Sequence, residues 1–157
     1  MAASEIKDKF SSSASLTLTA ASLASSTAGV GRQSTMVDNS TTRYGRITLF
    51  VKITVGTGPT AARSIRIYFI RGDQNGTPHR SDGAGASDAG LTVKNAALIG
   101  SLYVDVTTND LPYYGEFVVD SPGPEWGVCI VHDTGVNLNA TGSNHWVNWV
   151  GSNPESQ

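Results

Sequence analysis

From Tyr44 to Arg71 the chain is apolar at every second residue through two long stretches. Ile47, Leu49, Val51, Ile53 and Val55 form the first, and after Gly56-Thr57-Gly58-Pro59 the pattern resumes at Ile65, Ile67 and Phe69. Successive side chains of a strand point to opposite faces, so this pattern calls for half-buried β-strands. A period of 3.6 is nowhere sustained for three turns. The 157 residues are therefore expected to make one all-β domain.

Other segments extend the pattern. Ala14, Leu16, Leu18 and Ala20 alternate with Ser and Thr and predict a first strand, with a short second one at Gln33 to Val37. Leu98 to Val106 and Tyr113 to Val119 predict two more. Trp126 to His132 is apolar almost without interruption, as expected of a central strand covered on both faces. Trp146-Val147-Asn148-Trp149-Val150 is the last. Some eight short strands separated by Gly, Pro and Asn clusters describe a single antiparallel β-sandwich, jelly-roll-like in character. Residues 72–92 hold Gly72, Asp73, Asn75, Gly76, Pro78, Gly83, Gly85 and Gly90 with almost nothing apolar, and are expected as a long surface loop.

Residues 1–12 read as a flexible N-terminal arm and 13–157 as the sandwich. Ile6 and Phe10 stand at the i, i+4 spacing of a helix too short to hold alone. The arm is either a frayed terminus or a segment that orders on a neighbouring subunit with Ile6 and Phe10 as anchors.

Charged residues make up only 15% of the chain and the net charge is −2, with no block of like charges. A nucleic-acid partner is not expected, because the basic face it requires is missing. Arg63 and Arg66, near Arg71, read as a solvated strand face or one side of a polar subunit contact. The single Cys129 lies in an apolar run and reads as a small buried hydrophobe. Met1 to Ser13 lacks the pattern of a signal peptide and no segment is long and apolar enough to span a membrane. A soluble protein made in the cytoplasm without Sec export, and no membrane partner, is the expectation.

The motifs carry little chemistry. Arg71-Gly72-Asp73 spells an integrin-type tripeptide but is explained by turn chemistry. Asp73, Asn75, Gly76 and Asp82 fit part of a calcium loop, except that Arg71 falls on its first ligand position and would repel the metal. His79, His132 and His145 have no metal-ligand spacing. His132-Asp133 lacks a nucleophile elbow. Neither an enzyme nor a cofactor is expected. Three glycosylation sequons, at Asn39, Asn75 and Asn139, are compositional. Trp126, Trp146 and Trp149, with Tyr113 and Tyr114, can build a sugar-stacking platform, although strand aromatics usually fill cores. Trp146 and Trp149 are three apart, so they face opposite sides and one is left for solvent or a subunit contact.

A layout emerges from the opening strand at Ser13 to Leu18, the run Arg32-Gln33-Ser34-Thr35-Met36-Val37-Asp38-Asn39, and a long strand ending in Thr57-Gly58. Trp126-Gly127-Val128 then leads to Asp133-Thr134-Gly135 and Leu138. From about Ser13 to Val150 it resembles small β-sandwich structural proteins of tailed bacteriophages, of the capsid decoration (cement) or tail-associated kind. The resemblance implies a non-enzymatic virion protein on the capsid surface, bound to the major capsid protein and to itself as a homotrimer. A second function expected of such a chain is a tail-tip or fibre-associated domain that binds host-surface carbohydrate through Trp and Tyr.

Overall fold

The computed structural model describes residues 6–156. Eleven strands are present among them: β1 (Ile6–Phe10), β2 (Ala14–Ser15), β3 (Val30–Gln33), β4 (Val37–Asp38), β5 (Arg46–Thr54), β6 (Arg63–Gly72), β7 (Ala89–Thr92), β8 (Ala97–Val104), β9 (Pro112–Asp120), β10 (Glu125–His132) and β11 (Trp146–Ser156). All pair antiparallel, in two sheets. The first sheet has the order β1-β11-β5-β9, with β2 beside β1 on the edge of β11; the second has the order β7-β3-β10-β6-β8, with β4 on β10. The molecule is an all-β sandwich.

The alternation in the sequence sets what lies between the sheets. Ile47, Leu49, Val51 and Ile53 of β5 meet Ile65, Ile67 and Phe69 of β6 and Trp126, Val128 and Ile130 of β10 in one continuous core. Trp126 sits at its centre, stacked on Phe69 at 5.7 Å and edge-on to Trp149 at 5.1 Å.

The other face of the second sheet is also dry. Ile70, Cys129 and Val131 are covered by Ala84, Met36, Leu91 and Val93, so all eight residues of β10 are buried. Two of the covering residues, Ala84 and Leu91, come from the polar segment 72–92, expected as a surface loop. It holds down by hydrogen bonding instead. Asp82 accepts from the backbone N–H groups of Lys94, Asn95 and Ala96 at 3.0, 2.8 and 2.9 Å. Gln33 donates to the carbonyls of Gly85 and Ser87. Asp88 accepts from Arg32 and from Thr19. Arg80 grips Glu125 of β10 through two hydrogen bonds, of 2.8 and 2.6 Å.

Two expectations for the N-terminus change. Residues 1–5 of the expected arm lie outside the described residues. Residues 6–10 are not a helical turn: they form β1, exposed throughout and paired residue for residue with Ser152–Ser156 of β11. A spacing of four is one helical turn but also two strand periods, so Ile6 and Phe10 share a face either way. The strand expected from Ala14 to Ala20 stops at Ser15, because the chain there crosses between the sheets. Leu16 still donates to Val147 in the first sheet, while Thr17 already accepts from Thr35.

Candidate functional site

With Ile47, Leu49, Val51 and Ile53 turned inward, Arg46, Thr48, Phe50 and Lys52 must face out from the first sheet. The register then assembles the rest of that face. Trp146 and Tyr114 both lie opposite Lys52, Asn148 and Glu116 opposite Phe50, Val150 and Val118 opposite Thr48, and Ser152 and Asp120 opposite Arg46. The ladder between β11 and β5 ends at Ser152, and the last residues of β11 continue paired with β1. Phe10 lies opposite Ser152 and Ile6 opposite Ser156, so both extend the same outer face.

This face is unusually apolar. Ile6 and Phe10 are 72% and 67% exposed, Tyr114 63% and Val118 53%, with Phe50 also exposed. Such residues scattered singly need no explanation; here five exposed ones share a sheet face with the half-buried Trp146 and Val150. At one end the Tyr114 and Trp146 rings lie 6.4 Å apart, tilted by 56°. With Phe50 and Glu116 they line a shallow hollow of about 350 Å³. At the other end Arg46 donates to Asp120 at 2.6 Å. The guanidinium is held above its ordinary value by Asp120.

Of the six contact candidates named from sequence, this face gathers three: Ile6, Phe10 and Trp146. Trp149 faces inward and packs on Trp126, with Tyr44 edge-on at 5.8 Å. Arg66 lies on the outer side of the second sheet, half-buried, reaching the carbonyl of Ser26 at 3.4 Å. Arg63, three residues earlier, faces the opposite way, so the two arginines do not form one contact. Tyr114 was named only for a sugar-stacking platform, and Phe50 and Val118 were missed. Their signal was an apolar residue out of phase with the strand: Phe50 interrupts the alternation of Leu49 and Val51, and Val118 that of Phe117 and Val119.

The remaining motifs are taken up by the fold. His132 is fully buried, 2.9 Å from the carbonyl of Leu23 through Nε2 and 3.0 Å from Thr134 Oγ1 through Nδ1. Asp133 does not orient it, but accepts from the backbone of Ser64. His145 bridges the carbonyl of Asn139 and the backbone N–H of Thr54. Burial lowers the pKa of both histidines. Asp73 binds Asn75 and His79, while Asp82 caps the segment 94–96, so the residues of the calcium-like pattern are engaged separately. Among the described residues no group of three or more His, Cys, Asp or Glu is placed to hold a metal ion. Gly72 of the Arg-Gly-Asp tripeptide is buried under the Arg80–Glu125 pair, where a Cβ would fall 2.4 Å from a Glu125 oxygen.

No family model, no curated protein and no solved structure matches this chain.

Proposed function

We propose that the chain is a non-enzymatic structural protein of a tailed-phage virion, a capsid decoration subunit. It docks on the major capsid protein shell through the outer face of its first sheet, in copies grouped as trimers. The observation that carries this reading is the apolar stripe from Trp146 and Tyr114 through Phe50, Val150 and Val118 to Phe10 and Ile6. The order of the strands supports it. Taking β1 with β2 and β3 with β4 as one strand each, and setting aside the short edge strand β7, the eight main strands fall in the first sheet as first, eighth, third and sixth, and in the second as second, seventh, fourth and fifth. We read this as a jelly roll, an architecture shared by viral capsid and lectin domains. Fold analogy alone fixes no function; the resemblance of the layout supplies the choice between those two.

The test is cosedimentation with capsid shells of the same phage that lack their decoration protein. The parent is expected to saturate the shells. Val118→Lys and Phe50→Glu are each expected to weaken binding about tenfold or more, from the lost burial of one apolar side chain. Their unfolding free energies should stay within about 0.5 kcal/mol of the parent, as for substitutions on an exposed strand face. A chain that never sediments with shells, or variants that bind as well as the parent, would sink the reading.

The hollow between Tyr114 and Trp146 favours one second reading, a carbohydrate site of a tail-tip or fibre-associated domain. Two substitutions separate its ring from the core ring. Trp146→Ala is expected to abolish any glycan-array signal and cost little stability. Trp149→Ala, which removes a ring wedged between Tyr44 and Trp126, is expected to cost about 3 kcal/mol. A glycan signal that survives Trp146→Ala would remove this reading.

A further inference from the structure

We propose that Asn75-Gly76 is a built-in site of spontaneous deamidation, a slow covalent change that adds negative charge and reroutes the backbone at the root of the segment covering the second sheet. Asn75 is exposed, between the end of β6 and the 3-10 turn Thr77–His79. Its own N–H is tied to Asp73 Oδ1 at 2.9 Å, which fixes the turn. The Gly76 carbonyl accepts from His79 at 3.0 Å, but the Gly76 N–H donates to no group among the described residues. Gly76 has φ 92° and open space where a side chain would stand. The nitrogen that must attack is thus unpaired and unshielded, because glycine carries no Cβ.

The other asparagines that precede a small residue are restrained. Asn39, before Ser40, is 4% exposed and spends its amide on the carbonyls of Tyr44 and Gly123. Asn95 precedes Ala96, whose N–H is already given to Asp82. Asn139, before Ala140, donates to Asp110 and accepts from Thr141 and Asn144. Of these four, Asn75 alone precedes a glycine, and the N–H of that glycine donates to no group among the described residues, while the Asn75 side chain reaches only the neighbouring Asp73.

The step balances with water as the sole co-reactant. Gly76 N bonds to Asn75 Cγ, the side-chain nitrogen leaves as ammonia, and a five-membered imide forms. Water then opens the imide at either carbonyl, giving aspartate or, where the side-chain carbon stays bonded to Gly76, isoaspartate. Net charge moves from −2 towards −3. The new carboxylate lies two residues from Asp73. In the isoaspartate form the main chain gains a methylene a few residues before Arg80, whose grip on Glu125 anchors the cover.

The experiment incubates the full chain at 37 °C in mildly alkaline buffer, followed by ion exchange and peptide mapping. A synthetic peptide of residues 70–81 serves as the unstructured clock. The expected result is one new acidic species, converted at Asn75 and mixed between aspartate and isoaspartate, and absent from Asn75→Gln. Retention of the Asn75 amide over the time in which half the peptide converts would overturn the proposal, as would conversion led by Asn39, Asn95 or Asn139. The purified isoaspartate form is expected to melt below Asn75→Asp, which changes charge without lengthening the backbone. Equal melting would overturn the claim that the cover is loosened.

Discussion

Arg80→Met is expected to lower the unfolding free energy by about 3–5 kcal/mol, because it strands the Glu125 carboxylate inside the fold. The two side chains are each about a tenth exposed and meet through paired hydrogen bonds. Their geometry is the two-pronged one that guanidinium and carboxylate favour. The pair also rests directly on Gly72, whose missing side chain leaves room for it. Removing the cation leaves a charge that the strand cannot turn towards water, since every residue of β10 is buried. Urea titration measures the loss. A second readout reports where the damage falls. Cys129 lies under the cover, and burial pushes its thiol up to about 12, so it should resist thiol reagents in the parent. In Arg80→Met it should be labelled at mildly alkaline pH as the segment 80–84 lifts. Replacing both partners, Arg80→Met with Glu125→Leu, should recover most of the stability, because no charge is then left unpaired. A loss below about 1 kcal/mol in the single variant would mean that water reaches the carboxylate after all.

Elements whose stability comes from apolar burial were readable in the sequence. β5 and β6 announce themselves by alternation, and β10 by an unbroken apolar run, since burial on one face or on two leaves those two different signatures. β1 was not readable, because four residues separate Ile6 from Phe10 and both periodicities put them on one side. The cover over the second sheet was not readable for a different reason. Ala84 is its one fully buried apolar residue between positions 72 and 92, and its anchors are Arg80, Asp82 and Asp88, residues that a pattern search assigns to solvent. Hydrogen-bond satisfaction at long sequence separation leaves no local period. The candidate site was half readable. Trp146 and Trp149 had to face opposite ways, but which one faced out depended on the phase of β11 against β5, and only the register supplies that.

Stability is expected to fall as pH drops below about 6.5. His132 and His145, 0% and 6% exposed, are the cause. Unfolded, each imidazole takes up a proton near 6.5; folded, burial keeps it neutral to a lower pH. Between those two values the unfolded chain binds more protons than the folded one, so acid favours unfolding. The stability contribution is complete above the unfolded value and declines below it, until the folded imidazole itself protonates. Each histidine sets a ceiling of about 1.4 kcal/mol per pH unit, and the two together about 2.7. The carboxylates act in a lower window. Partial burial alone would raise Asp82, but its three backbone donors hold it below its ordinary value of 3.8; Asp88 is likewise half-buried, yet held low by Arg32 and Thr19. Their contributions are lost only as pH falls through those depressed values. Urea titrations at about pH 7.5 and about pH 5.5 isolate the histidine window. The parent should lose stability between them, and His132→Gln should lose less, because the reading depends on the slope and not on how stable the variant is. A parent whose unfolding free energy is flat across that interval would show that neither imidazole is held neutral by the fold.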